Sequence, residues 1–190
     1  FVALIFYLLM TTLTVYAVEQ FQASESAAGL AASIFVLGAV FSRMLTGKYI
    51  EVIGRKKLLY GGLILYFFAT LLYFTVNSLS MLITIRFIHG VIFGIAATSM
   101  TTSAMDTIPH ERRGEGTGYF TLTPTIATAV GPFLGIYIMD HFDMEMIFVA
   151  CTIFSFISII ITLFADVPEA KLTEEQLQEM KQGFRIKDFF

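Results

Sequence analysis

Apolar residues in this chain come in long unbroken runs rather than in the alternating or three-and-four spacing of half-buried elements. Runs can be read at 1–18, 29–48, 58–76, 79–105, 116–139 and 144–165. A helix rising about 1.5 Å per residue crosses the ~30 Å hydrocarbon layer in about twenty residues. Each run therefore predicts one membrane-crossing helix. The polar breaks between them are short: Asn77 and Ser78 separate the third and fourth runs, and 140–143 separates the fifth and sixth. Breaks this short predict sequential helices that pack as antiparallel neighbours. They leave no room for a folded extramembrane unit before residue 166. The expected organisation is a transmembrane bundle at 1–165 and the start of a cytoplasmic linker at 166–190. Because Phe1 opens the first run without a starting methionine, the chain is expected to be an excerpt with an incomplete first helix.

Composition agrees with this pattern. The 190 residues are 56% hydrophobic and only 14% charged, with a mean hydropathy of +0.77, whereas a soluble domain carries about 25% charge. The net charge of −3 conceals a strong asymmetry between alternate breaks. Segments 19–28, 77–78 and 140–143 contain no Lys or Arg. Segments 49–57, 106–115 and 166–190 contain nine: Arg55, Lys56, Lys57, Arg112, Arg113, Lys171, Lys181, Arg185 and Lys187. The positive-inside rule places that basic side, and both ends of the segment, in the cytoplasm. Cys151 is the single cysteine and lies inside an apolar run, which leaves no disulfide or thiolate metal cluster.

Beyond Pro168 the composition turns polar. Thr173 followed by Gln176 suggests a capping box that opens a short helix ending near Gly183. Phe184, Ile186, Phe189 and Phe190 then mix with Arg185 and Lys187. Two readings stand for this stretch, a segment lying on the cytoplasmic membrane face and a solvated linker.

The break between the second and third runs carries Gly47, Glu51, Gly54, Arg55 and Lys56 at fixed spacing. It resembles the signature loop of the major facilitator superfamily, Gly-x-x-x-Asp-Arg/Lys-x-Gly-Arg-Arg/Lys, with Glu51 in place of the aspartate and Val52 in place of the first basic residue. The resemblance implies that this cluster latches one conformational state. In it, Gly47 permits close helix approach and the acid sits at a helix amino end in the other half, where the macrodipole favours negative charge. Asp106, at the inner end of the fourth run, is the expected partner of Arg55. Ordinary positive-inside charge is the plainer alternative.

Arg86, Gly90 and Gly94 in the fourth run match the family's Arg-x-x-x-Gly-x-x-x-Gly motif. Small residues four apart allow close packing in lipid. An Arg this far into an apolar run costs about 2.5–3.5 kcal/mol or more. It is expected either to face a wet cavity, tuning a proton site with Glu19 or an acid of the other half as its partner, or to snorkel outward. His89, one turn on, reads as a neutral packing residue or a proton relay. In the fifth run Gly118, Ala127, Gly131, Pro132 and Gly135 resemble the antiporter motif Gly-x8-Gly-x3-Gly-Pro-x2-Gly-Gly, with Ala127 and Ile136 replacing glycines. Pro132 is expected to kink that helix, with the glycines as packing surfaces. Thr121, Thr125 and Thr128 either line a substrate path or bond back to their own helix. Gly114 to Gly118 mimics a phosphate loop but lacks the Gly-Lys-Ser/Thr ending and a preceding strand.

The resemblance implies an all-α integral membrane bundle of six helices, half of a twelve-helix fold built from inverted three-helix repeats. Gly47, Tyr49 and Ile50, closing the second helix, echo Gly135, Tyr137 and Ile138, closing the fifth, as such a repeat would produce. The implied function is proton-coupled efflux of drug-like or amphipathic small molecules across the cell membrane by alternating access. An importer, or a non-transporting sensor on the same fold, is the alternative. Expected partners are a small-molecule substrate, protons, the lipid bilayer and a carboxy-terminal half; neither nucleic acid, cofactor nor metal is expected. No catalytic constellation is present in the sequence, so an enzyme is not expected.

Overall fold

The computed structural model describes residues 1–167. The expected capping box at Thr173 and the aromatic-basic stretch after Gly183 lie outside the described residues. Among the described residues six α-helices are formed: α1 (Val2–Phe21), α2 (Glu25–Ile53), α3 (Arg55–Leu71, tightening into a 3-10 turn at Leu72–Thr75), α4 (Leu79–Thr107), α5 (Arg113–His141) and α6 (Glu145–Leu163). Among the described residues there is no strand. All six are long and apolar enough to cross a membrane.

The boundaries follow local chemistry. α2 starts four residues before its apolar run because Ser24 accepts from the Ala27 N–H at 3.3 Å, relieving one of the unpaired amides of a helix start. Ser78 caps α4 in the same way through the Met81 N–H. Gln22 closes α1 in the left-handed region at φ 51°, which reverses the chain within three residues.

The expectation that sequential helices would be the main neighbours holds only for part of the bundle. α3 does pack on α4, and α1 on α2, but α2 packs chiefly on α4 and α1 on α5, whereas α4 and α5, or α5 and α6, touch little. Side-chain size explains the difference. A Cβ at Gly38 would stand 2.5 Å from the Phe87 carbonyl oxygen, one at Gly90 would overlap that of Phe35, and one at Gly94 would overlap the Ser42 hydroxyl. These gaps let α2 and α4 touch backbone to backbone, and dispersion over a close contact is what joins helices in lipid. At Gly131 and Gly135 the nearest atoms are Tyr7 Cβ and Thr12 Cγ2, each 2.7 Å from the added Cβ, so α5 lies on α1 by the same device. If the first three helices are exchanged for the last three, α2 on α4 becomes α5 on α1. This pairing fits an inverted repeat.

The interior is apolar with a polar seam. Leu8, Leu9, Leu13, Leu63 and Leu82 are fully enclosed, as are Arg86, His89, Tyr66 and Tyr73. Large side chains such as Leu37, Phe41 and Met44 on α2, and Tyr119, Ile126 and Phe133 on α5, point outward. In water this arrangement would be an aggregation surface; against lipid or another apolar bundle it carries no such cost.

Candidate functional site

Three places concentrate the polar chemistry. The first is the joint between α2 and α3, which is a single residue. Gly54 ends one helix and starts the next at φ 103°, ψ 130°, a conformation that a side chain disfavours. The sharp turn brings Glu51, in the last turn of α2, against Arg55, the first residue of α3. Arg55 Nε donates to Glu51 Oε1 at 2.8 Å, and its Nη1 forms an ion pair with Asp106 Oδ2 at the end of α4. Helix dipoles disfavour each of these charges where it stands: a cation at an amino end, and acids at two carboxyl ends. Bringing the three together offsets that cost. Glu51 Oε2 is buried without a hydrogen-bond partner among the described residues. Lys56 is exposed, and a Cβ on Gly47 would meet nothing within 4 Å.

The second place surrounds Arg86. Its side chain is fully buried, with 0% exposure. Nε donates to the Ala31 carbonyl at 3.2 Å, Nη2 donates to the Ala32 carbonyl at 3.0 Å, and the guanidinium carbon lies 4.5 Å above the Phe35 ring. Arg86 is thus a clamp from α4 onto α2 and neither snorkels nor faces a cavity. The second lone pair of each helical carbonyl and the ring face replace the hydration the cation has lost. Only Nη1 lacks a hydrogen-bond partner. His89 stands one turn away in an aromatic cage: its Nδ1 is 3.0 Å from the Tyr73 hydroxyl and its ring is 4.3 Å from that of Tyr66. Glu19 is exposed at the carboxyl end of α1 and is in none of the ion pairs formed among the described residues. Glu19 and Arg86 form no ion pair among the described residues.

The third place is a pair of adjoining cavities of about 280 and 240 Å³ between α1, α2, α4 and α5, which share Ala3, Arg43, Phe93 and Pro124 in their walls. Phe6, Phe35 and Phe93 form one aromatic cluster there, with centroids 5.0–5.7 Å apart. The Arg43 guanidinium lies 5.7 Å from the Phe93 centroid. α5 borders the cavities and runs as one helix through both Pro124 and Pro132. Ala127, Gly131 and Gly135 are on its buried side, whereas Gly118 meets open space. Thr121, Thr125 and Thr128 donate back to carbonyls of α5 at 2.7–2.9 Å, which satisfies their hydroxyls locally.

Comparison with known proteins decides the family. The profile described as Major Facilitator Superfamily matches residues 1–189. The chain belongs to the major facilitator superfamily. Relatives include the MFS-type transporter oryF of Aspergillus oryzae, 32% identical over 132 residues, which cover 69% of this chain and 27% of that protein. Multidrug resistance protein 3 of Bacillus subtilis is 29% identical over 54% of this chain and 20% of its own length. A Na(+), Li(+), K(+)/H(+) antiporter of Planococcus maritimus is 24% identical over 94% and 42% respectively. The chain thus spans between a fifth and about two-fifths of the length of these relatives.

In this facilitator segment the structure brings Glu51, Arg55 and Asp106 together and unites Gly90, Gly94, Gly131 and Gly135 with their opposing helices. It leaves Glu19 apart from Arg86. Arg43 is the residue that sequence reasoning passed over. It is a cation inside the second apolar run, as Arg86 is inside the fourth, and that shared anomaly is the signal that could have found it.

Proposed function

We propose that this segment is the amino-terminal bundle of a proton-coupled exporter of small molecules, located in the cell membrane with both ends of the bundle in the cytoplasm. A second six-helix bundle, contributed by the rest of the protein, completes the transport path. Family membership supports transport, and the names of the multidrug and antiporter relatives favour efflux. The observation that carries the mechanism is the Arg55 cluster. It ties the α2–α3 joint to the end of α4 at one side of the bundle and leaves Glu51 Oε2 as a free acceptor. That oxygen is suited to a helix amino end from the second bundle. A contact of this kind holds the basic side closed while the opposite side is open, and it breaks when the two bundles rock. The proton is carried by a carboxylate reachable from the path, Glu19 or one from the second bundle. Arg86 acts at a distance, by keeping α2 fixed on α4.

The test uses the full-length protein in inverted vesicles. An imposed proton gradient should drive accumulation of substrate, and Arg55→Ala should reduce that accumulation while leaving protein levels near wild type. Accumulation that ignores the gradient would refute proton coupling. Undiminished transport by Arg55→Ala would refute the latch.

A further inference from the structure

The proton-coupled efflux reading leaves the substrate class open, and the cavities around Arg43 bear on it. Arg43 lies ten residues before the Ile53 end of α2, about 15 Å at the helical rise. A charge at this depth is costly unless it meets water or an opposite charge. An arginine guanidinium is a permanent cation. Among the described residues it forms no ion pair, and its recorded contact is the face of Phe93. Cation–π contact engages the flat face of the guanidinium and leaves its N–H edges able to donate. Those edges form a planar fork suited to a carboxylate or sulfonate. Beside it lie Phe6, Phe35 and Phe93, an apolar surface in which Phe6 stacks on both other rings. The described carboxylates all stand near helix ends or in breaks, away from these walls.

We propose that this cavity binds an amphipathic organic anion, its acid group on Arg43 and its aromatic or alicyclic body on the Phe6, Phe35 and Phe93 cluster. The assignment rests on the efflux reading for direction of movement but not for binding. The two adjoining cavities have room for a body of one or two rings, and the fixed positive charge at their shared wall disfavours cations.

The experiment measures binding to the purified full-length protein in detergent by calorimetry, with 2-naphthoate, its neutral amide 2-naphthamide, and tetraphenylphosphonium as probes. Wild type should prefer the carboxylate over the amide by about tenfold or more, as one charge-assisted pair predicts. Arg43→Gln should bring that ratio to about one, chiefly by weakening naphthoate, and Arg43→Lys should keep an intermediate ratio because its point charge lacks the fork. Phe93→Leu should weaken both naphthyl probes alike. A wild-type ratio near one overturns the proposal whatever the variants do, so misfolding of Arg43→Gln does not rescue it; so does a ratio that survives in well-folded Arg43→Gln. Proteoliposomes separate the two readings. If tetraphenylphosphonium is pumped by a proton gradient while the binding ratio is one, the anion site is wrong and efflux stands. If the ratio behaves as expected but neither probe moves with the gradient, efflux is wrong and the anion site stands.

Discussion

Removing Asp106 or Arg55 should change the balance between open and closed conformers by a predictable amount. Arg55 bonds two carboxylates, and its side chain is 13% exposed, Glu51 19% and Asp106 37%. Full burial would put the cost of breaking such a pair at about 3–5 kcal/mol. Full exposure would put it below about 1 kcal/mol. More than a third of Asp106 meets water, so the Arg55–Asp106 coupling is placed at about 1–2 kcal/mol, a factor of roughly 5–30 in a conformer ratio. Arg55→Ala should act more strongly than Asp106→Ala. It leaves Glu51 and Asp106 facing one another, each at the negative end of a helix, whereas loss of Asp106 leaves Arg55 still paired with Glu51. The assay is a double-mutant cycle in the full-length protein with Cys151→Ala. A cysteine at Ala97, on the cavity wall, reports the open fraction through its rate of reaction with an impermeant thiol reagent. The double mutant should fall between Asp106→Ala and Arg55→Ala, because removing Asp106 relieves the repulsion that Arg55→Ala creates. The exchange Arg55→Asp with Asp106→Arg should recover only part of the wild-type rate, because the new aspartate adjoins Glu51. Effects that add within about 0.3 kcal/mol would show that the pair does not hold a conformer and would refute the reasoning.

Four further outcomes follow. A cysteine at Asn77 or Asp143, with Cys151→Ala, should react with an impermeant reagent in intact cells, and one at Lys57 or Arg112 should not; the reverse pattern would invert the topology. Gly54→Ala must hold a side chain at φ 103° and should cost about 1–3 kcal/mol, read as a lower melting temperature in detergent, with an unchanged melt counting against a strained joint. Gly90→Val should separate α2 from α4, since a Cβ there would overlap the Phe35 carbonyl, and should lower stability by about 1–3 kcal/mol; wild-type melting would show that the close approach is not needed. Arg86→Ala should reduce the melting temperature more than Arg86→Lys, which keeps one of the two carbonyl bonds; equal melting of Arg86→Ala and wild type would remove the clamp.

Much of the architecture was legible because lipid imposes a simple rule on sequence. A backbone in hydrocarbon must satisfy its own hydrogen bonds, so each long apolar run had to be a helix, and the short breaks determined their number and order. Gly47, Glu51, Gly54, Arg55 and Lys56 were also readable, since their spacing is local and survives without knowledge of the fold. What no run of letters determined is which helices touch. α2 meets α4 because gaps at Gly38, Gly90 and Gly94 face carbonyls and small side chains far away in the chain, and α5 meets α1 because those at Gly131 and Gly135 face Tyr7 and Thr12. Arg86 shows the same limit. Its place in an apolar run announced a special environment, but two carbonyls of α2 and the ring of Phe35 decided that it would be a clamp and not a cavity charge. Arg43, equally anomalous in sequence, ended beside a cavity instead. Helical phase relative to the neighbours, a property of packing between distant segments, separates the two.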